Sequence, residues 1–401
     1  MKSPDVDAVL RLQAPRVLTA LLRAGHRFDA SERAVHLALA AAAERWAVTG
    51  VPPDPGGWIH SAAARSLADS PPEPVVGSTD LDPVAAPNAD DTLRLLVFCC
   101  HPAVSVTSQI ALTLRAVGGL STLQIARAFL AAEGAMDDRI NRATQTIDAS
   151  GPAFVELTDA DRAARLPAVL QVLHLVFTEG HLVARDLANV GLADAAIRLA
   201  RVVQAELPGD DEVQGLLGLM LLTEARRPAR VNAAGEYVPL SQQDRTRWRA
   251  DLIAEGRRLI AGALAMGPPG PYRLQAAIAA VHAAAPTAAD TDWSEILRLH
   301  DLLVAASPGP IAEMNRAIAA AEVHGAERGL RLLEALGDDG RVAHQARYLA
   351  ARGELLERLG RFADAGAAFA AAARVAGTEA ERRYLERRAG GTRGPTGEVD
   401  R

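Results

Sequence analysis

The sequence predicts an all-α protein. Alanine and leucine, the strongest helix formers, abound along its 401 residues, whereas aromatics make up only 4%. Runs of β-branched residues are scarce, and apolar positions recur at helical spacing over most of the chain. Hydrophobic residues at 49% against 23% charged supply a core and exclude disorder as the dominant state. At this length two or three domains are expected.

Residues 8–49 read as two helices. Val9, Leu10 and Leu12 open the first, and Leu18, Leu21 and Leu22 continue its apolar face. Asp29 with Glu32 three positions later has the form of a capping box, which predicts a second helix from Ser31 to about Trp46. Val51 to Gly57, dense in proline and glycine, is a turn, and a short helix follows over Trp58–Ala68. Residues 70–91 carry five prolines and five acids and read as an extended linker. Beyond it lie helices at Thr92–Cys100, Val106–Val117, Thr122–Leu130 and Ala135–Ile147, with Gly118 and Gly119 breaking the second from the third.

The stretch from Ser121 through Leu130, a short turn at Glu133-Gly134 and the helix that follows have the pattern of a helix-turn-helix. In it Ile125, Ala126 and Phe129 would pack against Met136, Ile140 and Ala143. An ordinary helical hairpin has the same local pattern. From 166 to 390 nearly everything is helix-periodic. Gly353, Leu356, Gly360, Phe362, Ala365, Phe369 and Ala372 fit the alternation of small and large residues in a tetratricopeptide repeat, and Gly325 lies 35 residues before Gly360, near the usual period of about 34. The expected organisation is therefore 1–69, a first helical domain; 70–91, an acidic linker; 92–150, a helix-turn-helix domain; 151–390, a tetratricopeptide-like extension; and 391–401, a disordered tail.

Net charge is −6 and the isoelectric point near 6.0, without the basic excess of a dedicated nucleic-acid binder. No apolar run reaches membrane-spanning length and no signal pattern opens the chain, so a cytoplasmic protein is expected. Cys99, Cys100 and His101 are consecutive and point about 100° apart on a helix, so they cannot converge on one ion; no metal site and no cofactor are expected. Phosphate-binding glycine loops, the His-Glu-x-x-His zinc motif and the Gly-x-Ser-x-Gly elbow are all missing from the sequence.

The extension carries an unusual supply of polar and aromatic groups: Glu179 and His181, Arg226, Arg227 and Arg230, Asp244, Arg245 and Trp248, then Gln275, His282, Asp292 and Trp293. Gln275 and His282, seven apart, share a helix face within an Ala-rich stretch. Two readings are open. The groups form a buried network that fixes helix packing, or they line a pocket for a small molecule or peptide, with His181 or His282 as acid/base and the arginines holding an anion.

Several strings carry a family resemblance. They are Glu44-Arg-Trp46, Gly50-Val-Pro52 and Pro55-Gly-Gly-Trp58; Leu93 through Pro102; Ala111-Leu-Thr-Leu-Arg115 with Gly118-Gly-Leu120; and Ile125-Ala-Arg-Ala-Phe-Leu130. In the extension they are Glu224 through Arg230, Gln243-Asp-Arg245 with Trp248, Leu274 through His282 and Asp290-Thr-Asp-Trp293. From about residue 8 to residue 390 the chain resembles the extracytoplasmic-function, sigma-70-like sigma factors of actinobacteria that bear a C-terminal tetratricopeptide-like extension. The resemblance implies a transcription initiation factor that acts through core RNA polymerase. Its first domain would bind the polymerase clamp and melt the −10 element, its helix-turn-helix would read the −35 element, and its extension would regulate it or replace an anti-sigma partner.

The departures from that family fall on residues that would touch promoter DNA. After Trp58 similar proteins continue into a dense basic run; here only Arg65 stands before Pro71. Along the recognition helix Arg139 and Arg142 remain, with Arg127 on the helix before it, while Thr144, Gln145 and Thr146 occupy positions that are basic in the family and Asp137 and Asp138 stand at the helix start. Residues 1–150 hold 13 basic and 16 acidic side chains, a net of −3. Six to ten phosphate contacts carry about 10³–10⁵ of salt-sensitive affinity, so losing half of them weakens promoter binding severely. Two functions follow: a sigma-like regulator with weakened DNA contacts, or a sigma-factor scaffold repurposed to bind or transform a small molecule in its extension.

Overall fold

A computed structural model describes residues 6–68, 89–129, 131–150, 158–182, 187–261 and 269–391, and over them the protein is all-helical. The only β pairing among the described residues is one antiparallel bridge, Val231 to Tyr237. No helix among them is long and apolar enough to cross a membrane. The chain divides into two compact units, Met1–Pro208 and Gly209–Arg401.

The first unit holds α1 (Val6–Arg23), α2 (Phe28–Thr49), α3 (Pro55–Ala68), α4 (Ala89–Cys99), α5 (Val106–Ala116), α6 (Thr122–Ala128), α7 (Glu133–Ala149), α8 (Asp159–Leu182) and α9 (Leu187–Glu206). Helices expected in two separate domains pack together here, α1 on α4 and α5, and α2 on α7. Phe28 of α2 meets Phe98 of α4 edge to face at 4.9 Å, and Trp46 of α2 meets Trp58 of α3 at 5.5 Å. Gly119 closes the α5–α6 turn at φ +65°, where a Cβ would stand 2.7 Å from the Arg11 backbone, so the turn and the approach of α1 both require glycine.

Three expectations change. The sequence places a domain boundary at 150, yet α8 and α9 pack on α4, and α8 also on α5, so they belong to the first unit. Their apolar faces are buried in it, Val172 and Leu173 fully; no shift in composition marks this division. The linker expected over 70–91 lies mostly outside the described residues, but 89–91 form the first turn of α4, where Asp91 is buried and pairs with Arg23 and Arg94. Asp29 is not the cap of α2. That helix starts at Phe28, its first amides, Phe28 N and Asp29 N, donate to the Asp148 carboxylate of α7 at 3.1 and 2.8 Å, and Glu32 is buried.

The second unit begins with α10 (Asp211–Glu224), three 3-10 turns (Arg227–Ala229, Leu240–Gln242 and Arg245–Arg247) and α11 (Ala250–Ala261). It continues with α12 (Pro271–Ala284), α13 (Trp293–Ala306), α14 (Pro310–His324), α15 (Ala326–Glu334), α16 (Ala346–Arg358), α17 (Phe362–Arg374) and α18 (Glu379–Gly391). Each helix from α12 onward packs on the next. One core gathers Leu274, Ile296, Leu299 and Leu303; another gathers Met314, Leu333, Leu356 and Phe369. Gly353 lets α16 close on α17, since a Cβ there would lie 2.9 Å from the Phe369 ring.

Candidate functional site

Ser121 caps α6 through a reciprocal box. Its hydroxyl accepts from Gln124 N at 3.2 Å, and its own N–H donates to the Gln124 side chain at 2.9 Å. Ile125, Ala126, Met136, Ile140 and Ala143 are buried where α6 meets α7. Beneath them Arg115, 4% exposed, donates Nε to Glu32 at 2.5 Å and Nη1 to Thr122 and Asp137 at 3.1 and 2.8 Å. One guanidinium thus ties α2, α5, α6 and α7. Partial burial opposes ionisation of Asp137, but hydrogen bonds and charge from Arg115, with Asn141, hold its carboxyl below the usual range. Burial pushes Glu32 up against the pull of Arg115, and it drives His36, hydrogen-bonded to Thr122 at 3.4 Å, down to about 4.

This network changes the reading of the recognition helix. Asp137 is engaged by Arg115 and half-exposed, so the acidic start of the helix is in part an internal tie. Thr144 is buried and donates to Asn141 O, so that position faces the core. Arg65, Arg127 and Arg142 are exposed and Arg139 is half-buried. Arg139 and Arg142 share a shallow cleft with Ser105, Ser108 and Thr146, which Arg65 and Arg127 do not reach.

The second unit contains a cavity of about 550 Å³. Gln275 and His282 of α12, Trp293 and His300 of α13 and Asn315 of α14 line it, with Arg226 just after α10 and Arg347 of α16. Its apolar wall includes Leu219, Ile278, Ile296 and Ile318, and among the described residues no acidic side chain lines it. His282 stands edge to face on Trp293 at 5.3 Å. Burial, with Arg226, Arg245 and His300 adding to it, takes His282 down to about 4; burial and Arg347 do the same for His300. Both rings are therefore neutral near pH 7, which suits them to hydrogen bonding; a proton shuttle at neutral pH needs a value closer to 7. Burial first, then Arg230, and less strongly Arg347 and Arg245, lower the Arg226 guanidinium to about 10 against an opposing pull from Tyr237. Arg347 is exposed at the cavity, and desolvation by the surrounding protein lowers its guanidinium too.

Of the extension residues singled out in the sequence, Arg226, Gln275, His282 and Trp293 line the cavity. Arg245 lies behind the wall, donating to the carbonyls of His282 and Ala285 at 2.6 Å each and to Thr291 at 3.3 Å while stacking over Trp248 at 4.7 Å. Asp244 caps the turn that carries Arg245 by accepting from Thr246 N at 3.0 Å. Arg227 pairs with Glu224 at 2.9 Å, and Arg230 lies among Tyr237, Glu224 and Arg227. Neither lines the cavity. Glu179 is exposed on α8 in the first unit; His181 is on the same helix, with its side chain outside the described residues. His300, Asn315 and Arg347 escape sequence reasoning because each is one polar residue in an ordinary amphipathic helix.

Cys99 and Cys100 are buried, and burial raises Cys100 to about 12 and Cys99 well above its ordinary value, so neither is a thiolate near pH 7. Among the described residues no group of three or more His, Cys, Asp or Glu is placed to hold a metal.

Comparison with known proteins adds two likenesses. Residues 165–264 match a family of unknown function, DUF6596. Over 401 aligned residues the chain is 39% identical to "Uncharacterized protein R00370" of Rhizobium meliloti (strain 1021), covering 95% of this chain and 94% of that protein. The chain belongs to that protein's family. No solved structure matches it. The matched segment runs from α8 past the end of α11 and takes in Arg226, Arg245 and Trp248.

Proposed function

We propose that this protein is a sigma-factor-like regulator that acts through core RNA polymerase, with weakened promoter-DNA contacts and a C-terminal helical control unit. The observation that carries the reading is the Ser121-capped helical pair α6–α7, read as a helix-turn-helix, on which Arg127 and Arg142 are exposed and Arg139 half-buried. Its recognition helix α7 is bound to the start of α2 by Asp148 and, through Asp137, to the Arg115 of α5 that also holds Glu32 of α2. That packing describes a closed state from which polymerase would draw the two modules apart. On this reading α14–α17 are tetratricopeptide-like pairs with a regulatory role.

The test is run-off transcription with purified core polymerase on a library of genomic fragments, read by sequencing the transcripts. Starts sharing a common pair of upstream elements support the proposal. Initiation no higher than with core enzyme alone overturns it.

A second reading is favoured by the cavity: the C-terminal unit binds a small molecule, and the sigma-like scaffold has been repurposed or is controlled by that ligand. A cleft of about 550 Å³ with an apolar wall and a few convergent polar groups is the usual form of a ligand site.

A further inference from the structure

The inference rests on the second reading above, that the cavity takes a ligand, and names the ligand's chemistry. Arg226 and Arg347 both line the cavity, and neither forms an ion pair among the described residues. The nearest acid in sequence to Arg226, Glu224, is engaged by Arg227. Two guanidiniums facing one volume repel each other, an arrangement that costs stability unless an anion joins them.

Two further features point the same way. The α14 N-terminus opens onto the cavity with Gly309 as its cap, Pro310 in its first turn and no side chain accepting from its first amides, of which Ile311 and Ala312 line the volume. Such an end attracts negative charge. His300 is 8% exposed, lines the cavity, and its Nδ1 has no hydrogen-bond partner; Asn315 Oδ1 is likewise buried without one. Buried polar atoms of this kind are normally satisfied. Trp293 and the isoleucines give the lining its apolar surface.

We infer that the cavity binds a small amphipathic organic oxyanion, its carboxylate or phosphate head held by Arg226, Arg347 and the α14 N-terminus and its apolar body laid against Trp293. His300 and Asn315 supply hydrogen bonds to polar groups along that body. The fixed positive field excludes cations, and the apolar wall disfavours inorganic anions that leave it uncovered.

The test is isothermal titration calorimetry of the full chain with three probes: 3-phenylpropionate, phenyl phosphate and the neutral 3-phenylpropanol. At least one anion is expected to bind about tenfold or more tighter than the alcohol, and R226Q and R347Q are each expected to weaken it by about tenfold or more, as for lost charge-assisted bonds. The head group preferred identifies a carboxylic acid or a phosphate ester, and either supports the inference. The comparison of charged with neutral probes on the unmodified protein does not depend on how the variants fold. Equal binding of alcohol and anions would leave the cavity a ligand site and overturn the anion assignment, as would anion binding unchanged in both variants. No binding of any probe would overturn the ligand reading itself.

Discussion

Replacing Arg115 with methionine removes the guanidinium that ties α2, α5, α6 and α7 while keeping an apolar stem of similar length. Arg115 and Glu32 each have side chains only 3% exposed, so the variant strands Glu32 as a buried carboxylate and leaves Thr122 with His36 in place of its stronger donor. Breaking a buried pair by removing one partner costs about 3–5 kcal/mol, well above the value of an exposed pair. Asp137, half-exposed, is resolvated by water and adds little. For a unit of this size that cost lowers the melting temperature by about 6–20 °C.

The sign with pH follows from Glu32. Burial already raises its carboxyl, and without Arg115 it rises further, so the variant's penalty is greatest near neutral pH and shrinks as acid neutralises the carboxylate. Urea unfolding of R115M and of the double variant R115M/E32M, followed by circular dichroism near pH 7 and pH 5, reads both effects. The double variant, with both charges replaced by apolar groups, should recover most of the loss. A cost for R115M below about 1 kcal/mol near pH 7, or a double variant less stable than R115M, would refute the buried tie.

Other substitutions test other parts of the account. Asp148, raised to about 6 mainly by burial, with hydrogen bonds from Phe28 N and Asp29 N opposing the rise and Asp29 adding to it, favours the protonated form in the fold; its contribution is full below about pH 4 and is lost as pH rises through 6, so D148N should flatten the dependence of the urea midpoint on pH in that window. G353A, whose Cβ would press on the Phe369 ring, should destabilise the second unit by about 1–3 kcal/mol in a thermal melt. R245K keeps the charge but loses the fork that holds the His282 and Ala285 carbonyls, and should lower stability by about 1–3 kcal/mol and weaken any cavity ligand. If α7 meets phosphates, R139Q with R142Q should reduce the slope of log affinity against log salt by about 2 in a fluorescence-anisotropy titration with duplex DNA; an unchanged slope would remove both arginines from the interface.

The helical class was legible because composition and period agree everywhere, and up to residue 149 the helix ends that were predicted fell within a few residues of their expected places. What could not be read was pairing at a distance. Glu32 looks like part of a local capping box from its spacing to Asp29, yet its partner is Arg115, 83 positions away, and the cap of α2 comes from Asp148. The capping box that does exist, Ser121 with Gln124, has the expected Ser-x-x-Gln form. In the extension, Gln275 and His282 stood out as polar residues on an Ala-rich helix face, and they line the cavity. Arg227, Arg230, Asp244 and Arg245 stood out equally, but they tie turns and helix ends, because a sequence shows that an arginine is present and not which carbonyl or carboxylate it meets. Arg226 and Arg347, 121 positions apart, come together through the stacking order of the helices, which no local pattern encodes.

The most direct test of the central claim is size-exclusion chromatography of the purified protein with bacterial core RNA polymerase at micromolar concentration, run with both the unmodified chain and R115M. The account predicts stable co-elution, strengthened in R115M because the tie of α2 to α5, α6 and α7 is cut. If neither protein moves with the polymerase, the sigma-like reading falls and the cavity of the C-terminal unit becomes the starting point for function.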